Sequence, residues 1–355
     1  MSAPGVGAPG VGAPGVSAPG VPDIAWRALE GAAAPEAIAE NIAAWRRWRL
    51  VPRAFRTRTE TDLSLTLFGV RLAHPVLAAP VALADAGRLG TAAALAAGAA
   101  KTGSSLVLSA SAHHRADEVG RHLSDGWFAQ VYLPEDRELI RPRLAALREH
   151  GARAAFLTVD QLNITYQQPF RAWALALPAD VGAPPFGVPA SSLSLDDIAF
   201  VADATGLPVV VKGILHPEDA ADAVAAGAAG VVVSNHGGRQ IAGSVTAAEQ
   251  LADVVAAVAG RAPVLVDSGI REARDVAVAL ALGASAVLIG RPLVAAAWRG
   301  GEDAVAAHLS EIADELRGAL TLAGVPDLAG IGPGLLRHAD AACAHEPPLH
   351  RAASR

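Results

Sequence analysis

Residues 208–240 read PVVVKGILHPEDAADAVAAGAAGVVVSNHGGRQ. A β-branched apolar run, Pro208–Gly213, is followed by an alanine-rich stretch of helical periodicity, Ala220–Gly227, and then by a second such run, Gly230–Asn235. Strand, helix and strand in that order form a βαβ unit. Runs that are apolar at consecutive rather than alternate positions suit parallel strands covered on both faces. The polar residues gather where the runs end, with Lys212 on the first and Ser234, Asn235 and His236 on the second.

The same unit recurs on either side. Similar runs stand at Pro75–Ala79, Ser105–Ser109, Trp127–Tyr132, Ala154–Asp160, Pro263–Asp267 and Ala286–Gly290, with alanine-rich stretches such as Ala273–Gly283 in the gaps. Eight strands alternating with helices predict an α/β fold of the (β/α)8 (TIM) barrel type. A doubly wound open sheet would carry a glycine-rich turn after its first strand, and Pro80-Val81-Ala82 is not one.

Residues 161–193 separate the fourth and fifth strands by far more than one helix. They hold six prolines or glycines between Pro178 and Pro189, which predicts an inserted loop over the C-terminal mouth of the barrel. Ahead of the barrel, Trp26, Trp45 and Trp48 stand at helical spacings and predict a short helical extension closing the bottom or the rim. Residues 1–22 repeat a Gly-Ala-Pro-Gly-Val unit that has little to bury, so a disordered tail is expected there. A flexible tail is also expected over 339–355, which leaves 23–338 as the barrel domain.

Composition narrows the function. Of 355 residues, 52% are hydrophobic and 18% charged, ample for a large core, yet no apolar run is long and clean enough to span a bilayer. A net charge of −6 with no basic stripe argues against a nucleic-acid partner. The single cysteine, Cys343, permits no intrachain disulfide, and the N-terminus lacks the pattern of a signal peptide. A cytoplasmic protein with a small-molecule substrate, no membrane partner and no metal is expected.

In a barrel, chemistry belongs at the C-terminal ends of the strands. Here the runs end in Ser109, Gln130 with Tyr132, Thr158 with Asp160, Lys212, Ser234 to His236, Asp267, and Gly290 with Arg291. Lys212 is one of only two lysines in a chain that otherwise uses arginine. A buried ammonium is costly without a partner, so it either snorkels to the strand end or faces a negative charge that develops on a cofactor. His236 is a natural general base. The two glycines after it let the backbone approach a ligand, and Arg239 adds a bidentate fork; a turn with a structural histidine is the plainer alternative. Asp267-Ser-Gly-Ile-Arg271 and Gly290-Arg291-Pro292 follow the last two strands, where barrels commonly bind phosphate, and together they imply a phosphorylated cofactor. Turns with a surface ion pair would explain each of them singly.

Over residues 24–338 these features resemble the FMN-dependent 2-hydroxy-acid oxidases and dehydrogenases, a family that includes glycolate oxidase, lactate oxidase and mandelate dehydrogenase. The stretch Ser234–Gln240 matches the family's signature. The resemblance implies that His236 takes the substrate proton while Asp160 stabilises the imidazolium. It implies that Arg239 holds the substrate carboxylate, that Tyr132 holds the reacting hydroxyl, and that Lys212 stands against the flavin ring. Pro80, Val81, Ala82, Ser109, Gln130, Thr158 and Ser234 would line the flavin. Asp267 would bind its ribityl chain, and Gly269, Arg271, Gly290 and Arg291 its phosphate. A homo-oligomer, typically a tetramer, is implied as well.

The chain departs from the family pattern at three places. A tyrosine ahead of the barrel, a second ligand of the substrate carboxylate, maps to Arg27, and an arginine seven residues beyond the strand-4 aspartate maps to Gln167. The family's Pro-Thr-Ala turn reads Pro80-Val81-Ala82. Either Arg27 supplies the charge that Gln167 lacks, or the mouth admits a larger or uncharged substrate. Ala82 leans toward oxygen as the electron acceptor. Other readings are a different FMN barrel, of the isopentenyl diphosphate isomerase or inosinate dehydrogenase kind, and a flavin-binding protein with little turnover. Inosinate dehydrogenases need a cysteine in a barrel loop, whereas Cys343 lies in the tail.

Overall fold

The structure, a computed structural model, describes residues 35–56, 59–82, 84–87, 89–161, 189–241 and 243–340. The repeat over 1–22, Trp26, Arg27, Gln167, most of the insertion and residues 341–355 with Cys343 lie outside the described residues.

A helix, α1 (Pro35–Trp45), comes first, followed by β1 (Trp48–Leu50), β2 (Leu65–Leu67) and β3 (Val70–Leu72). The barrel strands are β4 (Val76–Ala78), β5 (Val107–Leu108), β6 (Trp127–Val131), β7 (Ala152–Thr158), β8 (Val209–Ile214), β9 (Gly230–Val233), β10 (Val264–Val266) and β11 (Ala286–Ile289). All eight runs read from the sequence are therefore strands. They pair in parallel in the order β4-β11-β10-β9-β8-β7-β6-β5. A parallel bridge between Ala78 and Leu106 joins β4 to the β5 side and closes the barrel.

The intervening helices are α2 (Ala84–Gly87), α3 (Thr91–Lys101), α4 (Ala116–His122), α5 (Arg141–Glu149), α6 (Asp196–Thr205), α7 (Pro217–Ala225), α8 (Ala247–Val258), α9 (Ala273–Ala281) and α10 (Arg291–Ala323). Two apolar clusters result, as strands covered on both faces require. One lies between the strands and the helices; the other fills the barrel interior with Leu77, Phe128, Phe156, Val210, Val232 and Leu288.

The bottom of the barrel is closed by something the sequence reading did not foresee. β2 and β3 pair as an antiparallel hairpin with Leu65 opposite Leu72 and Leu67 opposite Val70. Phe68 and Gly69 have φ of 47° and 81°, the left-handed pair of a tight two-residue turn that matches strand twist. Phe68 meets Phe128 and Phe156 edge-on, with ring centroids 5.9 and 6.1 Å apart. The tryptophan pattern ahead of the barrel is corrected in part. The helix ends at Trp45, and Trp48 lies in β1, which pairs with β12 (Leu336–His338) through Trp48 and His338. That strand is the last stretch of the expected barrel domain, which ends at 338.

Candidate active site

The turn after β9 carries the site. His236 has a φ of 58°, unusual for a residue with a side chain, and the turn around it is held from several sides. The His236 N–H donates to Ser234 Oγ at 3.0 Å, and the Gly237 N–H donates to Ser268 Oγ at 2.9 Å. Ser268 in turn donates to Asp267 Oδ1 at 2.7 Å. The turn after β9 is thus tied to the turn after β10.

Lys212, on β8, is 2% exposed and is not snorkelling to solvent. Its Nζ donates to Ser234 Oγ at 3.0 Å and pairs with Asp267 Oδ2 at 3.1 Å. Burial works against the ammonium, but the Asp267 and Asp160 carboxylates outweigh it and hold its pKa above the ordinary lysine value. His236 Nδ1 lies 2.9 Å from Asp160 Oδ1. Burial would raise the Asp160 carboxyl, yet His236 and then Lys212 outweigh that effect and keep it below the usual carboxylate range. Asp160 therefore remains ionised beside the ring, able to orient it and to stabilise its protonated form.

Below this pair, Gln130 joins two strand ends. Its Oε1 accepts the Ala110 N–H at 2.9 Å, and its Nε2 donates to Thr158 Oγ1 at 3.0 Å. Tyr132 is buried, and burial, then the Asp160 charge, push its phenol pKa far up, so the hydroxyl keeps its proton. That hydroxyl donates to Gln161 Oε1 at 2.6 Å.

A cleft that holds about 110 Å³ and opens to solvent at its mouth runs across these strand ends. Of the residues expected at the site, Pro80, Val81, Ala82, Lys212, His236 and Arg239 line it. So do Asp267, Gly269, Arg271, Gly290 and Arg291. Tyr132, Ser109, Gln130, Thr158, Ser234 and Asp160 stand behind or beside that wall, linked to it by the bonds above or by the strand ends they occupy. Arginine charge is concentrated here. Burial and then Arg291 lower the Arg239 pKa to about 9 and the Arg271 pKa to about 10. Arg271 Nε is buried without a hydrogen-bond partner among the described residues. Crowded, desolvated guanidinium groups around one cleft call for a polyanion.

Residues 19–338 match the family model described as FMN-dependent dehydrogenase. The chain belongs to the FMN-dependent dehydrogenase family. Among relatives of this flavoenzyme, human 2-hydroxyacid oxidase 1 is 33% identical over 333 residues, covering 86% of this chain and 90% of that protein. The 4-hydroxymandelate oxidase of Amycolatopsis orientalis is 36% identical over 317 residues, covering 83% and 88%. A crystal structure of mandelate oxidase with benzoyl-formic acid superposes with a TM-score of 0.79 at 35% identity, over 90% of this chain and 94% of that one.

FMN suits this site on its own chemistry. The buried Arg271 Nε and the guanidinium groups gathered with it are what a phosphate satisfies, and Lys212 offers a fixed cation deeper in the cleft. Among the described residues no cluster of His, Cys, Asp or Glu could hold a metal, and no helix is long and apolar enough to cross a membrane.

Sequence reasoning missed three contributors. Gln161 lines the cleft, Ser268 links its two turns, and Asn41 on α1 bonds Asn235 beside His236. Gly269 gains a further reason. A Cβ there would lie 2.2 Å from the Asn41 carbonyl oxygen, so close approach of α1, as well as any ligand, demands glycine.

Proposed function

We propose that this flavoenzyme oxidises a 2-hydroxy acid to its 2-oxo product, with His236 as the base. The observation that carries the reading is the 2.9 Å pair of His236 and the ionised Asp160 at a cleft that Arg239 and Lys212 also line. His236 takes a proton from the substrate, and Asp160 stabilises the charge the ring acquires. Arg239 holds the carboxylate through paired N–H donors, and Tyr132 meets the hydroxyl on the reacting carbon. FMN, when bound, accepts the two reducing equivalents and passes them on to oxygen or another acceptor. Lys212 would face its ring, Asp267 its ribityl chain, and Arg271 and Arg291 its phosphate. The relatives named for 2-hydroxy acids and 4-hydroxymandelate act on compounds with a carboxylate beside a hydroxyl-bearing carbon, the grouping that these residues are suited to grip.

Anaerobic mixing with a series from aliphatic to aryl 2-hydroxy acids tests the reading. Bleaching of the flavin by at least one member is expected. A flavin that stays oxidised with all of them would overturn it. A cytoplasmic homotetramer is the proposed state, and light scattering on the purified protein with fractionation of the cell tests it.

A further inference from the structure

The Tyr132 hydroxyl has one proton, and that proton points at Gln161 Oε1 across 2.6 Å. Gln161 follows Asp160 in sequence and lines the same cleft as His236, Lys212 and Arg239, yet the reaction proposed above gives it no part. A protonated phenol donates once and accepts through its lone pairs, and the Gln130 side chain also bonds to this oxygen. Which of these faces the substrate depends on where the proton is held. Asp160 offers a rival acceptor: its Oδ2 is buried without a hydrogen-bond partner among the described residues, and its charge acts on the phenol. A tyrosine proton drawn there would weaken the negative charge that His236 relies on. A proton turned into the cleft would confront the substrate with a donor.

We infer that Gln161 is a positioning residue that accepts the Tyr132 proton and so presents the Tyr132 oxygen to the cleft as an acceptor. An acceptor matches the substrate's 2-hydroxyl, which has a proton to give. It opposes the product's 2-oxo group, which has none. Gln161 thereby sets a preference for hydroxy acid over oxo acid at the same position and favours release of the product, since a site built for one hydrogen-bonding partner rejects the group that leaves it unmatched. The inference rests on the reading of Tyr132 as the residue that meets the reacting hydroxyl.

Two affinities test it in the FMN-loaded protein. Binding of pyruvate and of benzoylformate is measured by flavin difference spectra, without turnover. Binding of lactate and of mandelate comes from the concentration dependence of flavin reduction. Gln161→Leu frees the Tyr132 proton, so the oxo acid should bind about three- to tenfold tighter and the hydroxy acid weaker by a similar factor. Gln161→Glu keeps an acceptor oxygen and should keep the parental ratio. In a Tyr132→Phe background, Gln161→Leu should leave the ratio unmoved, a result that a merely structural role would not give. An unchanged ratio in Gln161→Leu, or an equal change with Tyr132 absent, would overturn the inference. If Tyr132→Phe alone leaves both affinities unchanged, the underlying reading of Tyr132 fails instead.

Discussion

Asn41 and Asn235, 194 residues apart in sequence, exchange two buried hydrogen bonds, Asn41 Nδ2 to Asn235 Oδ1 at 3.0 Å and Asn235 Nδ2 to Asn41 Oδ1 at 2.7 Å. Asn235 Oδ1 also accepts the Gly238 N–H at 3.0 Å, and Trp45 on the same helix donates to the Ser268 carbonyl at 2.9 Å. Helix α1, which precedes the barrel, is therefore bonded to both turns that frame His236. An element outside the eightfold repeat fixes the conformation of the residue proposed as base.

Asn41→Leu should destabilise the protein by about 1–3 kcal/mol, because it leaves the Asn235 amide buried without its partner. Asn41→Asp keeps the shape but loses the donor to Asn235, and it should also slow flavin reduction by displacing the His236 turn. Denaturant unfolding and stopped-flow reduction measure the two effects. Parental values for both variants would show that the amide pair is idle.

His236→Ala should retain FMN, since the arginines proposed to hold the phosphate are untouched. Its reduction by substrate should fall about 10²–10⁴-fold, the usual worth of a positioned base. Absorbance reads the bound flavin and its bleaching in one experiment. Reduction at the parental rate would assign the proton to another group.

Lys212→Met should slow flavin reduction by about 10²–10³-fold and weaken FMN retention, because a preorganised cation is lost from a water-excluded site. It also leaves Asp267 Oδ2 without the ammonium 3.1 Å away, so some loss of stability should accompany it. Reduction as fast as in the parent would mean that Lys212 serves only Asp267 and Ser234.

Much of this was legible in the sequence because the barrel strands are short apolar runs and seven of the eight carry a polar residue at the end. Lys212, His236 and Asp160 stand out for that reason, and the structure brings them together, with Lys212 and the His236 N–H sharing Ser234 Oγ and the His236 ring on Asp160. The hairpin over 65–72 was not legible as a plug, since its strands are three residues each and only the tertiary fold places Phe68 on Phe128 and Phe156. Its signal was Phe68-Gly69 between alternating leucines. Trp48 continued a helical spacing, but pairing with His338, far along the chain, drew it into a strand. Gln161 is an ordinary loop residue by type, and what marks it is Tyr132, which follows a different strand.

The last expectation concerns acid stability and a histidine away from the cleft. His74 is 2% exposed, its Nδ1 has no hydrogen-bond partner among the described residues, and its Nε2 lies 3.4 Å from Thr102 Oγ1. Burial first, and then the charge of Arg317, push its pKa down to about 4 against the pull of Asp314. In the unfolded chain the ring titrates at about 6.5. The unfolded state therefore binds the proton more readily, so protonation favours unfolding. The stability held by neutral His74 is complete above about pH 6.5 and is lost as pH falls toward about 4, a change of about 3 kcal/mol. Urea unfolding between pH 7 and 4 should show this slope, and His74→Phe, which cannot take up the proton, should flatten it. Equal pH dependence in parent and variant would mean that His74 takes up its proton as readily in the folded as in the unfolded chain and that other groups govern the acid transition.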